Sequence, residues 1–321
     1  MTLPSKWLTT LAMLMVIWSG SAVTNGQILV ATGGDGRLKE YTTSGTLVNP
    51  SLITGLAQPQ FMAVSGSDLY IVNRSTASVG RYTTSGTVIN ASLITGLNDP
   101  LAIAVTGTQL FVATGGDGKL KEYTTSGALV NPTLITGLAQ PQFMTVSGTD
   151  LYVVNRSTAS IGKYNTAGAT LNAVLISGLN DPLAIAVSGT TLLVATGGDG
   201  KVKEYSTSGT LINPALITGL AQPQFMAVFG SDLYVVNRST ASIGRYTTSG
   251  AVINASLITG LNDPLSMVVV PEPTCCTLLA IGIGSLFVSR RLNRRSYQAP
   301  RRHHQWLSVQ QHLVSTATAR S

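Results

Sequence analysis

A tyrosine recurs every 41 residues along most of this chain, at Tyr41, Tyr82, Tyr123, Tyr164, Tyr205 and Tyr246. The unit around it reads LYIVN-RSTAS-VGRYTTSG-TVINASLITGL-NDPLAIAVTGTQ from Leu69 to Gln109, and related copies run from Ile28 to Val270. Six copies without insertion or deletion mean a repeat architecture, and a period of about 40 residues is the size of a four-stranded propeller blade. A chain of 321 residues has room for two ordinary domains. Strict repetition argues instead for one closed unit.

Within a unit, Leu69–Asn73, Val79–Thr84, Thr87–Leu93 and Leu101–Val105 read as short strands separated by Gly, Ser, Asn, Asp and Pro turns. LAIAV and LYIVN are apolar on both faces and must be covered on both, as the inner strands of a sandwiched blade are. The order from the centre outward is then LAIAV or FMAV, LYIVN or LLVAT, the tyrosine strand, and LVNPSLI. The repeats open on a second strand at Ile28 and close on an unpartnered first strand, Leu265–Val270. Joining the two closes a ring and removes both sheet edges. The expectation is an all-β, six-bladed propeller over residues 27–270.

The pattern P-x-x-x-V-x-G-x-x-L-Y-V-V-N followed by I-G-x-Y resembles the NHL and YVTN-type propeller repeats over residues 28–270. The Asp that commonly ends the second strand of NHL repeats is replaced by Asn73, Asn155 and Asn237, or by Thr32, Thr114 and Thr196. The resemblance supports the fold, implies a binding role and carries over no catalytic residue.

Units alternate. Odd ones carry A-T-G-G-D-G and A-Q-P-Q where even ones carry V-N-R-S-T-A-S and N-D-P, so the true period is 82 and the ring has threefold pseudo-symmetry. All the alternating loops fall on one face of the meander, where a specific surface is expected. Asp99, Asp181 and Asp263 of N-D-P form a candidate cation site, because three carboxylates round a threefold axis offer oxygen ligands. The same residues also suit an Asx-type turn before Pro, the simpler reading. Gln58, Gln60, Gln140, Gln142, Gln222 and Gln224 flank Pro on that face, either to bond sugar hydroxyls or to satisfy loop backbone. Asp35, Asp117 and Asp199 in G-G-D-G read as glycine-rich hairpin turns.

No His, Cys or Trp occurs in the repeats, so the commonest nucleophile–base pairings and a thiolate metal site are excluded there. Neither a cofactor nor a catalytic residue is expected. The formal charge is +7, but the repeat region carries 12 basic and 12 acidic residues, and the excess lies at the two ends. A nucleic-acid surface is not expected from a neutral repeat region.

Residues 1–22 hold Lys6, an apolar run from Trp7 to Trp18 and Gly20-Ser21-Ala22, the make-up of a secretory signal that signal peptidase would remove after Ala22. At the other end, Val270-Pro271-Glu272-Pro273, an apolar segment at 274–289 and then Arg290, Arg291, Arg294 and Arg295 resemble the PEP-CTERM sorting signal. That resemblance implies an exosortase-type peptidase, a transient inner-membrane stage and transfer to the cell surface or exopolysaccharide matrix of a Gram-negative-type bacterium. As a helix the segment would span about 24 Å, short of a hydrocarbon core of about 30 Å, and the arginines would hold its end on the cytoplasmic side. The remaining 296–321 reads as a disordered polar tail. Surface or matrix interaction, with no catalysis, is the expectation; a glycan-binding module is the alternative, and a metal-dependent lactonase- or lyase-like propeller the remoter one.

Overall fold

The computed structural model describes residues 26–271, and its fold is a six-bladed, all-β propeller of four-stranded antiparallel blades. Blade two shows the plan, with strands Pro59–Ser65, Asp68–Asn73, Ser78–Thr83 and Val88–Ile94 hydrogen-bonded in that order from the axis outward. Blades three to six repeat it, starting at Pro100, Pro141, Pro182 and Pro223.

Burial follows the expected order. In blade two the second strand buries Leu69 to Asn73 without interruption, whereas the outer strand exposes Val88 to Ser92 and buries only Ile94. The second strand is covered on both faces by neighbouring blades, which is why it is apolar throughout; the rim strand needs only its last residue in the core. The T-S-G turns set the spacing between blades. Gly209 has φ +89°, and a Cβ there would lie 2.5 Å from the Leu175 carbonyl oxygen of the preceding blade. Glycine is required twice over at this site, by the left-handed backbone and by the close approach.

Blade one is assembled from both ends of the repeat region. Gly26–Thr32 pairs on one side with Arg37–Thr42 and on the other with Pro264–Pro271, in the register Gln27↔Val270 to Ala31↔Ser266. The ring closes as the complementary ends require.

On the axis, the second residue after the opening proline alternates between large and small. Phe61, Phe143 and Phe225 alternate with Ala102, Ala184 and Ser266. The three rings converge, with centroids 5.4, 5.9 and 5.0 Å apart in edge-on or tilted pairs. Six phenylalanines would not fit at this level; three plus three small residues fill it. Ser266 breaks the pattern, because its hydroxyl is buried with no hydrogen-bond partner among the described residues.

The apolar segment 274–289, the arginines Arg290, Arg291, Arg294 and Arg295, Glu272 and Pro273, the 1–22 segment and the 296–321 tail lie outside the described residues. Among those described, no helix is long and apolar enough to cross a membrane.

Two outcomes are expected. Phe225→Ala should cost about 3–5 kcal/mol in urea unfolding, because the axis has no other side chain with which to refill the space. Ser266→Ala should instead raise stability by about 1 kcal/mol, by removing a buried hydroxyl without a partner.

Candidate functional site

The loops after the second and outer strands share one face, here the upper face, and the turns after the inner and third strands share the lower one. All alternating loops are on the upper face, as the meander dictates. There the residue before each opening proline adopts left-handed backbone: Gln58, Gln140 and Gln222 at φ 51–55° and Asp99, Asp181 and Asp263 at φ 52–53°. Asp tolerates this conformation readily; Gln does so less often.

Each of the six side chains is engaged locally. Arg74 Nε lies 2.7 Å from Asp99 Oδ1, Arg156 Nε 2.7 Å from Asp181 and Arg238 Nε 2.6 Å from Asp263. The Ser75 hydroxyl donates to Gln58 Oε1 at 3.0 Å, and Ser157 and Ser239 do the same for Gln140 and Gln222. One R-S-T loop thus holds the Gln of its own blade and the Asp of the next, a latch between blades. Gln60, Gln142 and Gln224 sit one step lower, buried at the top of the inner strands beside the phenylalanine triad. The three Asp carboxylates are held apart by separate arginines, and among the described residues no three His, Cys, Asp or Glu side chains form a group able to hold a metal.

The polar residues that end the second strands also tie loops down. The Asn73 Oδ1 accepts from the Ala57 N–H at 3.2 Å, while the Thr32, Thr114 and Thr196 hydroxyls donate to Asp35, Asp117 and Asp199. Those aspartates also face Lys39, Lys121 and Lys203 at 3.1, 3.2 and 3.0 Å. Burial by itself would raise their pKa, but the threonine hydroxyl and lysine bonds outweigh it and hold each carboxyl below its ordinary 3.8. Burial pushes the blade tyrosines up, Tyr205 among them, which marks them as packing residues.

A cavity of about 630 Å³ lies on the axis below the phenylalanine triad and opens on the lower face, the side opposite the alternating loops. Its wall includes Ala63, Ile103, Met144 and Val228, and Thr145 and Ser147 supply the polar side chains. The innermost strands have no partner on their axial edges, so backbone N–H and C=O groups also face it. The volume is within the range of about 300–1,000 Å³ usual for ligand pockets. No charged side chain lines it.

No protein-family model matches the chain, and no curated protein sequence matches it. Solved structures do. A chain of the nidogen/laminin complex is 15% identical, with TM-score 0.67, covering 77% of this chain and 98% of that one. A protein of unknown function from Bacteroides caccae is 15% identical, with TM-score 0.60, covering 77% and 100%. A catalytically inactive virginiamycin B lyase from Staphylococcus aureus with quinupristin is 16% identical, with TM-score 0.55, covering 74% and 86%. The likeness is one of fold. It extends no further than the propeller fold.

The arginine partners Arg74, Arg156 and Arg238 and the phenylalanine triad were not singled out from the sequence. Both recur at the 82-residue period, which is the signal that marks them.

The Arg156–Asp181 pair is exposed, at 41% and 31% for the two side chains, so a double-mutant cycle should return about 0.2–1 kcal/mol. The half-buried carboxylates behave differently. Because the folded pKa of Asp35, Asp117 and Asp199 lies below the unfolded one, their contribution is complete above the unfolded pKa and is lost as pH falls through the folded value. Replacing Thr32, Thr114 and Thr196 together by Val should therefore move the acid-unfolding midpoint, followed by circular dichroism, to higher pH.

Proposed function

We propose that this chain is an exported, non-enzymatic propeller that acts by multivalent interaction at the cell surface or in its polysaccharide matrix. The observation that carries the reading is the threefold repetition of every charged constellation on the described surface. An active site brings unlike residues together at one place. Here each aspartate of the upper face is held by its own arginine in three near-identical settings. The histidines of the chain, His303, His304 and His312, fall outside the repeats, which removes the commonest general base from the ring. The fold hosts both binding modules and a lyase among its neighbours, so the site and not the fold must decide.

Delivery rests on the two ends. Residues 1–22 act as the export signal, and Val270-Pro271-Glu272-Pro273 with 274–289 and Arg290, Arg291, Arg294 and Arg295 act as a PEP-CTERM-type sorting signal read by an exosortase. Both ends of the ring, Gly26 and Pro271, lie at the lower face. The first two motif residues already belong to the closing strand, where Val270 pairs with Gln27 and is buried.

Purified protein should show no turnover on lactone, ester or polysaccharide substrates, with or without calcium. Turnover abolished by replacing Asp99, Asp181 or Asp263 with Ala would overturn the non-enzymatic reading. Fractionating cells with and without the sorting peptidase should find the tagged protein at the surface and in the inner membrane, respectively. A soluble cytoplasmic pool in both would remove the delivery reading.

A further inference from the structure

The 12 basic and 12 acidic side chains of residues 26–271 fall into four threefold sets. Arg74, Arg156 and Arg238 pair with the upper-face aspartates. Arg81, Lys163 and Arg245 pair with Asp68, Asp150 and Asp232. Asp35, Asp117 and Asp199 each face two cations of the following strand, Arg37 and Lys39 or the equivalent lysine pairs. Glu40, Glu122 and Glu204 form no ion pair among the described residues. The repeat region is neutral, yet its surplus cations and surplus carboxylates stand apart.

Strand geometry separates them. Side chains alternate between faces, so Lys201, Lys203 and Tyr205 point one way and Val202 and Glu204 the other. The lysine face opens on a rim groove of about 540 Å³ between blades four and five, where Lys201, Lys203 and Tyr205 meet Leu175, Leu211 and Pro214. Equivalent residues recur in the sequence at the boundaries between blades two and three, with Lys119, Lys121, Leu129 and Pro132, and between six and one, with Arg37, Lys39, Leu47 and Pro50. A Cβ on Gly45, Gly127 or Gly209 would lie 2.4, 2.8 or 2.5 Å from the carbonyl oxygen of Leu257, Leu93 or Leu175. At the three other boundaries the lysine-pair positions are Ser78 and Gly80 or their counterparts, and no cation stands there.

In each groove one cation is tied and one is nearly free. Lys203 lies 3.0 Å from Asp199, but Lys201 is 4.0 Å away and its side chain is 37% exposed. Lys119 repeats this at 3.7 Å from Asp117. Arg37 forms no ion pair among the described residues.

We propose that these three grooves bind a carboxylate-bearing polysaccharide, a uronic-acid strand being the class that fits. The nearly free cation of each groove meets one carboxylate, and a polymer reaching round the rim presents further carboxylates to the other grooves. Leu211 and Pro214 give the sugar rings an apolar wall. Nucleic acid fits worse. One surplus charge per groove neutralises few phosphates, and Tyr205 is 7% exposed, which leaves no platform for a base to stack on. A single groove with one exposed ion pair is worth little, but three on one ring bind a polymer with avidity. The inference rests on the multivalent-interaction reading and supplies its ligand class.

The experiment measures binding of the intact purified protein to immobilised polygalacturonate, with neutral dextran and duplex DNA as competitors. The expected result is binding that weakens with salt, is competed by free polygalacturonate and is indifferent to dextran. The triple variant R37Q/K119Q/K201Q should lose about tenfold or more in apparent affinity, because avidity multiplies three small losses. R37K/K119R/K201R, which keeps the charges, should bind as before, and E40Q/E122Q/E204Q should bind no more weakly. Circular dichroism of each variant separates lost binding from lost fold; a charge-keeping variant that folds and fails to bind would count against the assignment. No binding, equal competition by dextran, or tighter binding to DNA would overturn it. Those results would leave the parent reading standing, since that one falls only to turnover or to failure of surface delivery.

Discussion

Everything in this ring depends on one strand pairing. Pro264–Pro271 lies against Gly26–Thr32, and without it blade one is a three-stranded sheet with its inner edge open to the channel. The two strands stand more than two hundred residues apart in the chain, so the pairing carries a large loop-closure cost that local blade formation does not. Each blade leans on two neighbours, and closing the last gap is what covers the two end blades. The stability of the ring is therefore shared around it.

Threefold alternation is a packing solution before it is a functional one. At the axis, six equal large side chains would clash and six small ones would leave a void, so Phe61, Phe143 and Phe225 alternate with Ala102, Ala184 and Ser266. On the upper face an arginine loop alternates with a glycine loop. Gly34 lies so close to the side chain of Asn262 that a Cβ there would be 2.1 Å from its oxygen, so the glycine loop beds the N-D-P loop entering its own blade, and the arginine loop of the preceding blade hooks the same N-D-P loop. The same alternation gives the rim three cationic grooves and leaves glutamates on the opposite face of the odd blades. Charge that cancels over the repeat region is thus kept local, which is what multivalent recognition needs.

Particular residues show how far the sequence could be read. The tyrosine period and the overhanging ends specified the fold and its closure, because both are statements about order along the chain. The upper-face placement of Asp99 and Gln58 was legible for the same reason. Their partners were not: Arg74 is 25 residues from Asp99 and Ser75 is 17 from Gln58, and no local pattern says which loop of the next blade an arginine will meet. The axial cavity was also out of reach. FMAV and LAIAV read equally as buried strands, and the alternation that leaves space below the phenylalanines appears only when six strands face one another.

The sequence by itself determined the strands, their order within a blade, the number of blades and the threefold rhythm, since each follows from periodicity and from which faces must be covered. Tertiary structure alone decided what those residues meet. It gave the aspartates to separate arginines, set three phenylalanines edge to edge, and divided a neutral set of charges between opposite faces of the same strand. The physical reason is common to all three. A repeat constrains distances along the chain, whereas ion pairs, ring packing and grooves depend on distances across it, and those exist only once the ring has closed.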